Sequence, residues 1–142
     1  MTASTQTLER LKHVDLFASL PSRQLKHLAQ VGQVLQHEPA YDVVIEGHGG
    51  VGFHLILSGE AMVHVGGADR PLLGPGEYFG EISVLDGKPR SATVTAGESG
   101  LETFSLSAWQ FASLLEKNPE IAMPIIIGLC TRLRAVEAAA AV

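Results

Sequence analysis

Glycine punctuates the middle of this 142-residue chain. Between residues 33 and 106 it recurs at 47, 49, 50, 52, 59, 66, 67, 74, 76, 80, 87, 97 and 100. The intervals hold short runs rich in β-branched and apolar residues: Val34–Leu35, Asp42–Glu46, Phe53–Leu57, Ala61–Val65, Pro71–Leu73, Ser91–Thr95 and Leu101–Leu106. Short strands separated by glycine turns predict a β-sandwich or barrel. Alternation is clearest in Met62-Val63-His64-Val65 and Ala92-Thr93-Val94-Thr95, where every second side chain would share one face of a sheet.

The flanks are written differently. Residues 5–31 contain no glycine and only Pro21. Leu8, Leu11, Val14, Leu16 and Phe17 have helical spacing. Pro21 then opens a second helix carrying Leu25, Leu28 and Val31, which Gly32 ends. Beyond the strands, Ser107 is an N-cap for a helix with Trp109, Phe111, Leu114 and Leu115. Asn118-Pro119-Glu120 starts another, continued by Ile121, Ile125, Leu129, Leu133 and Val136. Pro124 removes a backbone bond inside that helix and predicts a kink. The whole chain, residues 1–142, reads as one domain: helices over 5–31, a β-barrel over 33–106 and C-terminal helices over 107–140.

Composition agrees with a packed domain. Hydrophobic residues make up 46% and charged residues 18%, enough apolar material for a core and too little charge for disorder. Ten Lys and Arg against fifteen Asp and Glu leave a net charge of −5. Gripping nucleic acid through its phosphates normally takes a basic excess, so nucleic acid is not an expected partner. Cys130 is the only cysteine, which suits a reducing compartment. The N-terminus shows no secretory h-region, and the apolar stretch Ile121–Cys130 is far short of the ~18 residues of a bilayer span. A cytoplasmic protein without a membrane partner is expected.

The stretch Gly74-Pro75-Gly76-Glu77-Tyr78-Phe79-Gly80-Glu81-Ile82-Ser83, followed by Lys88-Pro89-Arg90-Ser91-Ala92-Thr93-Val94, carries the chemistry. Pro75-Gly76 makes a turn, and Gly80 admits positive φ or close approach of a ligand. Glu81–Val84 can start a one-turn helix whose free N–H groups suit an anion. Arg90, fixed by Pro89 at a strand start, suits a phosphate clamp. Glu81 can accept from a sugar hydroxyl. An anion, a sugar and an apolar barrel together suggest a nucleotide monophosphate. On the residues alone, Glu81 and Arg90 fit an internal salt bridge closing the loop equally well.

Phe79-Gly80-Glu81 followed by Pro89-Arg90-Ser91-Ala92-Thr93-Val94 resembles the phosphate-binding cassette of cyclic nucleotide-binding domains. The resemblance extends to Leu11–Leu28, to Phe53-His54-Leu55-Ile56-Leu57-Ser58-Gly59 and to the helix of Arg132-Leu133-Arg134. It implies a mainly β fold, an eight-stranded jelly-roll barrel with N-terminal helices and a C-terminal helix pair. It implies that Glu81 binds the ribose 2′-hydroxyl and Arg90 the exocyclic phosphate oxygens. Gly80, Ile82, Ser83 and Ser91 would add backbone or hydroxyl contacts, with Leu133 and Val136 covering the base. Ser91 is similar to bacterial cAMP binders, where a Thr accompanies cGMP preference in several eukaryotic members. The implied ligand is therefore cAMP, with cGMP as the second choice.

The implied role is regulatory, not enzymatic: the last helix moves over the base and passes the shift to a neighbour. No output domain is expected after it, so an effector protein would act in trans. The long apolar face of that helix also predicts a homodimer. Two departures from the family pattern bear on this, the loop Glu46-Gly47-His48-Gly49-Gly50-Val51-Gly52 and Val136 where bacterial members carry a hydroxyl. They support an alternative, a barrel that has lost its nucleotide and serves protein interaction. A metal-dependent enzyme of cupin type is a further alternative. Against it, His13, His27, His37, His48, His54 and His64 are dispersed, with no His-x-His spacing, and no metal site is expected. Trp109 and Phe111 are expected in the core, and Cys130 as a buried small apolar residue.

Overall fold

The structure, a computed structural model, describes residues 3–48 and 52–140. Helix α1 (Ala3–Leu11), a 3-10 turn (Asp15–Phe17) and α2 (Ser22–Val31) precede the sheet. Strands β1 (Gln33–His37), β2 (Asp42–Val44), β3 (Phe53–Val65), β4 (Ala68–Leu73) and β5 (Tyr78–Phe79) follow, then α3 (Glu81–Asp86) and β6 (Thr93–Leu106). Helix α4 (Ala108–Lys117), a 3-10 turn (Pro119–Ile121) and α5 (Ala122–Ala140) complete the order.

All strand pairs are antiparallel, and the sheet runs β1-β6-β3-β4, with β2 against β6 and β5 against β3. The spine is the long β3/β6 pair, running from Phe53 opposite Leu106 to His64 opposite Thr93. The sequence splits this spine into four short strands. The structure instead carries β3 through Gly59 and β6 through Gly97 and Gly100, with register shifts at Ile56/Ser58 and Gly59/Ala61. Among the described residues there are thus six strands, not eight. A glycine inside a strand bends the ladder without ending it.

Alternation along these strands sorts two cores. Phe53, Leu55, Phe104 and Leu106 face the helices, where Leu11, Phe17, Leu28, Phe111 and Ile125 meet them. Ile56, Ala61, Phe79, Val94, Ala96 and Leu101 form the second cluster. Phe53 stacks on Phe111 with centroids 4.3 Å apart and planes 9° apart. Burying one such ring contributes about 1.5–3 kcal/mol. Gly32 ends α2, its N–H bonding the Leu28 carbonyl. A Cβ there would lie 2.1 Å from Phe104 Cζ, so this corner is also a packing requirement.

Three expectations are corrected. Trp109 is exposed while Phe111 is fully buried. Residues two apart on a helix point about 200° away from each other, so only one of the pair can face the core. Cys130 is exposed, because the buried side of α5 is set by Ile125. Pro124 sits at the third position of α5, after the 3-10 turn. Its missing N–H is therefore one that no helix would use, and the predicted loss of a mid-helix bond does not arise.

Candidate functional site

The segment between β4 and β6 is tied to the spine. Residues 74–77 form the expected turn, Glu77 N–H donating to Gly74 O at 3.1 Å. Ile56 N–H donates to Glu77 O at 2.8 Å and Gly76 N–H to Ile56 O at 2.9 Å, pinning the turn to β3. After β5, Gly80 takes φ +92° and caps α3. A Cβ at Gly80 would fall 2.5 Å from Gly52 O and 2.9 Å from Arg90 Nη1, so glycine is needed for both its angle and its closeness.

Arg90 is held at both ends. Its N–H donates to His48 O at 2.9 Å, and its carbonyl accepts from Gly47 N–H at 2.8 Å. Its guanidinium bonds two backbone carbonyls, Nη1 to Gly80 O at 3.2 Å and Nη2 to Gly52 O at 3.1 Å. The side chain is 5% exposed, and Nε has no partner. Burial lowers its pKa, opposed by the negative charge of Glu81.

Glu81, 2% exposed, opens α3. Oε1 accepts from Arg132 Nη1 of α5 at 2.9 Å, while Oε2 has no partner. Burial pushes the carboxyl above the usual range, and Arg132 together with the N–H groups of Ile82 and Glu81 pulls it back. The sequence-level salt bridge between Glu81 and Arg90 is not what the structure shows, since Glu81 pairs with Arg132. Arg132 also reaches Tyr78 O at 3.4 Å, and Gly128, one turn earlier, lies against the Tyr78 ring: a Cβ there would sit 3.0 Å from its hydroxyl.

The structure therefore brings Gly80, Glu81 and Arg90 together, with Ser83 buried and Ile82 half-buried on the same short helix. Ser91 is exposed beside Arg90. Leu133 and Val136 lie past Arg132 on α5 and are also exposed, not folded over the site. The altered loop falls partly at residues 49–51, outside the described residues.

Three residues that sequence reasoning passed over complete the surroundings. Arg132 and Tyr78 are two, and the pair of cations Arg132 and Arg134 in a mostly apolar helix was the available signal for the first. The third is His54, which packs on Phe79 at 5.0 Å and shares a 2.6 Å hydrogen bond between Nδ1 and Ser105 Oγ. Ser105 continues through Thr103 to His37, a polar row across the sheet interior. Burial pushes the His54 pKa down to about 4, with the charges of Arg90 and His37 adding to it. A cavity of about 620 Å³ opens between β1, β2 and His54, and Arg90 is the one predicted site residue that lines it. Among the described residues, no three His, Cys, Asp or Glu converge as metal ligands, and no helix is long and apolar enough to cross a membrane.

The profile of the cyclic nucleotide-binding domain matches residues 36–118. The chain belongs to that family. It is 37% identical over 107 residues to a cAMP-dependent protein kinase regulatory subunit of Yarrowia lipolytica, covering 74% of this chain and 28% of that protein. It is 36% identical over 97 residues to the cyclic AMP receptor protein of Thermus thermophilus, covering 65% and 44%. A cGMP-dependent protein kinase of Toxoplasma gondii is 36% identical over 88 residues, covering 62% and 9%. The chain thus spans less than half the length of these curated relatives. Among solved structures, a protein kinase A regulatory domain described as bound to Sp-2Cl-cAMPS superposes with a TM-score of 0.82 at 21% identity, over 95% of this chain and 92% of that one. The catabolite activator protein of Thermus thermophilus gives 0.73 at 30% identity, over 87% and 60%.

Proposed function

We propose that this chain binds cAMP in preference to cGMP and works as a single sensor domain over residues 1–142. One observation carries the reading: a buried acceptor, Glu81 Oε2, and a buried donor, Arg90 Nε, both lack partners. Leaving such groups unsatisfied costs about 1–3 kcal/mol each. A ribose hydroxyl donating to Glu81 and a phosphate oxygen accepting from Arg90 satisfy both at once. Gly80, Ile82, Ser83 and Ser91 surround the same point, and Leu133 and Val136 would reach the base once α5 shifts.

Counting β3 and β6 as two segments each, at their register shifts, gives eight segments, which supports reading the sheet as the jelly roll the resemblance implies. The domain is a cytoplasmic binding module, not an enzyme, and takes no metal. The exposed apolar residues Met123, Ile126, Ile127 and Leu133 of α5 favour a homodimer through that helix, and an effector protein is the second partner.

A second reading has one observation in its favour. Both Nη groups of Arg90 are already bonded to carbonyls, as expected of a barrel that keeps its cassette only for shape. A thermal-shift panel of cAMP, cGMP, AMP and cyclic di-GMP separates the two. At ligand 100-fold above Kd the sensor gains about 2.7 kcal/mol. A shift with cAMP and not AMP supports the sensor; no shift with any of the four leaves the second reading.

A further inference from the structure

We propose that the groove between α2 and α4 docks an acidic peptide segment of a partner protein, anchored by an apolar side chain beside Trp109. The groove encloses about 230 Å³. Leu28 and Leu114 floor it, buried against the core. Val31 and Trp109 wall it, and Trp109 is 78% exposed. Trp is the side chain whose burial most often dominates an interface, and here nothing covers it. It is the only tryptophan in the chain.

The groove is formed in advance. The Ser107 side chain and the Gln110 backbone, with the reciprocal bond from Gln110 to Ser107, lock the first turn of α4. Gln110 Nε2 also donates to Val31 O at 3.1 Å, joining α4 to the end of α2. A wall fixed at both helices spares the ordering cost of binding.

Charge selects the occupant. His27 and Lys117 stand at the rim, and no Asp or Glu lines the groove. Helix α2 carries Arg23, Lys26 and His27 and no carboxylate. Across both helices the one acid is Glu116, which does not line the groove. In a chain of net charge −5, a groove lined by Lys117 and no acid, beside a helix that carries Arg23 and Lys26, fits carboxylates flanking an apolar anchor. Opposite charge at the rim also steers encounter.

The test is selection of a displayed library of random 12-residue peptides on the full, nucleotide-free chain. Recovered peptides are then measured by anisotropy against wild type, Trp109→Ala and Lys117→Glu. The expected peptides carry Asp or Glu around one Leu, Phe or Trp. They should change Trp109 emission and weaken about tenfold or more with each substitution. Because Trp109 and Lys117 are exposed, both variants should melt like wild type. Peptides without acidic bias, peptides indifferent to both substitutions, or an empty selection would overturn the proposal. So would a wild-type dimer, seen by sedimentation, that Trp109→Ala dissolves, since a second copy would then be the occupant. No nucleotide is present, so the outcome is independent of whether the chain binds cAMP.

Discussion

Arg132 of α5 holds Glu81 of α3 across 2.9 Å, joining the C-terminal helix to the residue that opens the cassette. Glu81 is buried and Arg132 about half exposed. The contact ties α5 to α3, beside the packing of Ile125 against the core. On the proposed reading, a ribose hydroxyl at Oε2 would share the same carboxylate, and one group would read both ligand and helix.

Arg132→Ala should release the far half of α5 and leave Glu81 with an uncompensated charge. The expected loss is about 1–2 kcal/mol, as for a hydrogen bond to a charged group exposed on one side. Hydrogen exchange should rise in α5 beyond Gly128 while β3 and β6 stay protected. Unchanged exchange there would show that packing at Ile125, not the ion pair, positions the helix.

On the proposed reading, in which Arg90 is the charged partner of the phosphate in a buried site, Arg90→Ala should weaken cAMP binding by about 2–4 kcal/mol. Titration calorimetry reads it directly. Equal affinity in the two proteins would remove Arg90 from the site.

His54 makes stability fall on acidification. Its folded pKa, about 4, lies below the ordinary 6.5, so the unfolded chain takes up the proton first. The stability is complete above pH 6.5 and is lost progressively as pH falls toward 4. The full effect is about 3 kcal/mol. Glu81, with a raised pKa, acts in the opposite sense, its contribution being lost as pH rises. Urea denaturation at pH 7.5 and 5.0 should show the loss in wild type and a smaller one in His54→Phe. An identical loss in both would place the sensitivity elsewhere.

Gly80→Ala should disable the site more than it harms the sheet. The new methyl meets Gly52 O at 2.5 Å at a φ that L residues rarely adopt. The strain costs about 1–3 kcal/mol, and the methyl also meets Arg90 Nη1 at 2.9 Å, the one of these neighbours that is the end of a flexible side chain and can yield. A normal far-ultraviolet spectrum with lost cAMP binding is expected; full affinity would contradict the geometry.

Phe111→Ala should cost about 3–5 kcal/mol, since it empties a fully buried stack against Phe53. Trp109→Ala, two residues earlier, should cost almost nothing. The contrast in melting temperature checks which helix face is buried.

The two neighbours Trp109 and Phe111 show how far sequence alone reaches. The helix, its Ser107 cap and its apolar content are local properties and are legible. Which ring faces inward depends on the phase of α4 against Phe53, a long-range fact. Gly80, Glu81 and Arg90 are legible for a similar local reason: a turn, a one-turn helix and a strand start each leave their mark within a few residues. Arg132 is not, because its meaning comes from Glu81, far away in the chain. The strand count fails where glycine can either end a strand or bend it, and only the partner strand decides.

The spine has a consequence for the order in which this protein comes into being. β3 pairs along its length with β6, yet β4, β5, α3 and the approach to Arg90 are all synthesised between them. A growing chain that has just added Arg90 has no β6 for β3 to close upon. Gly52, whose carbonyl shares the Arg90 cation with that of Gly80, directly precedes β3, and Arg90 lies just before β6, so the two ends of this contact flank the paired spine. A chain shortened before β6 would therefore carry Gly80, Glu81 and Arg90 without the paired spine against which they are set.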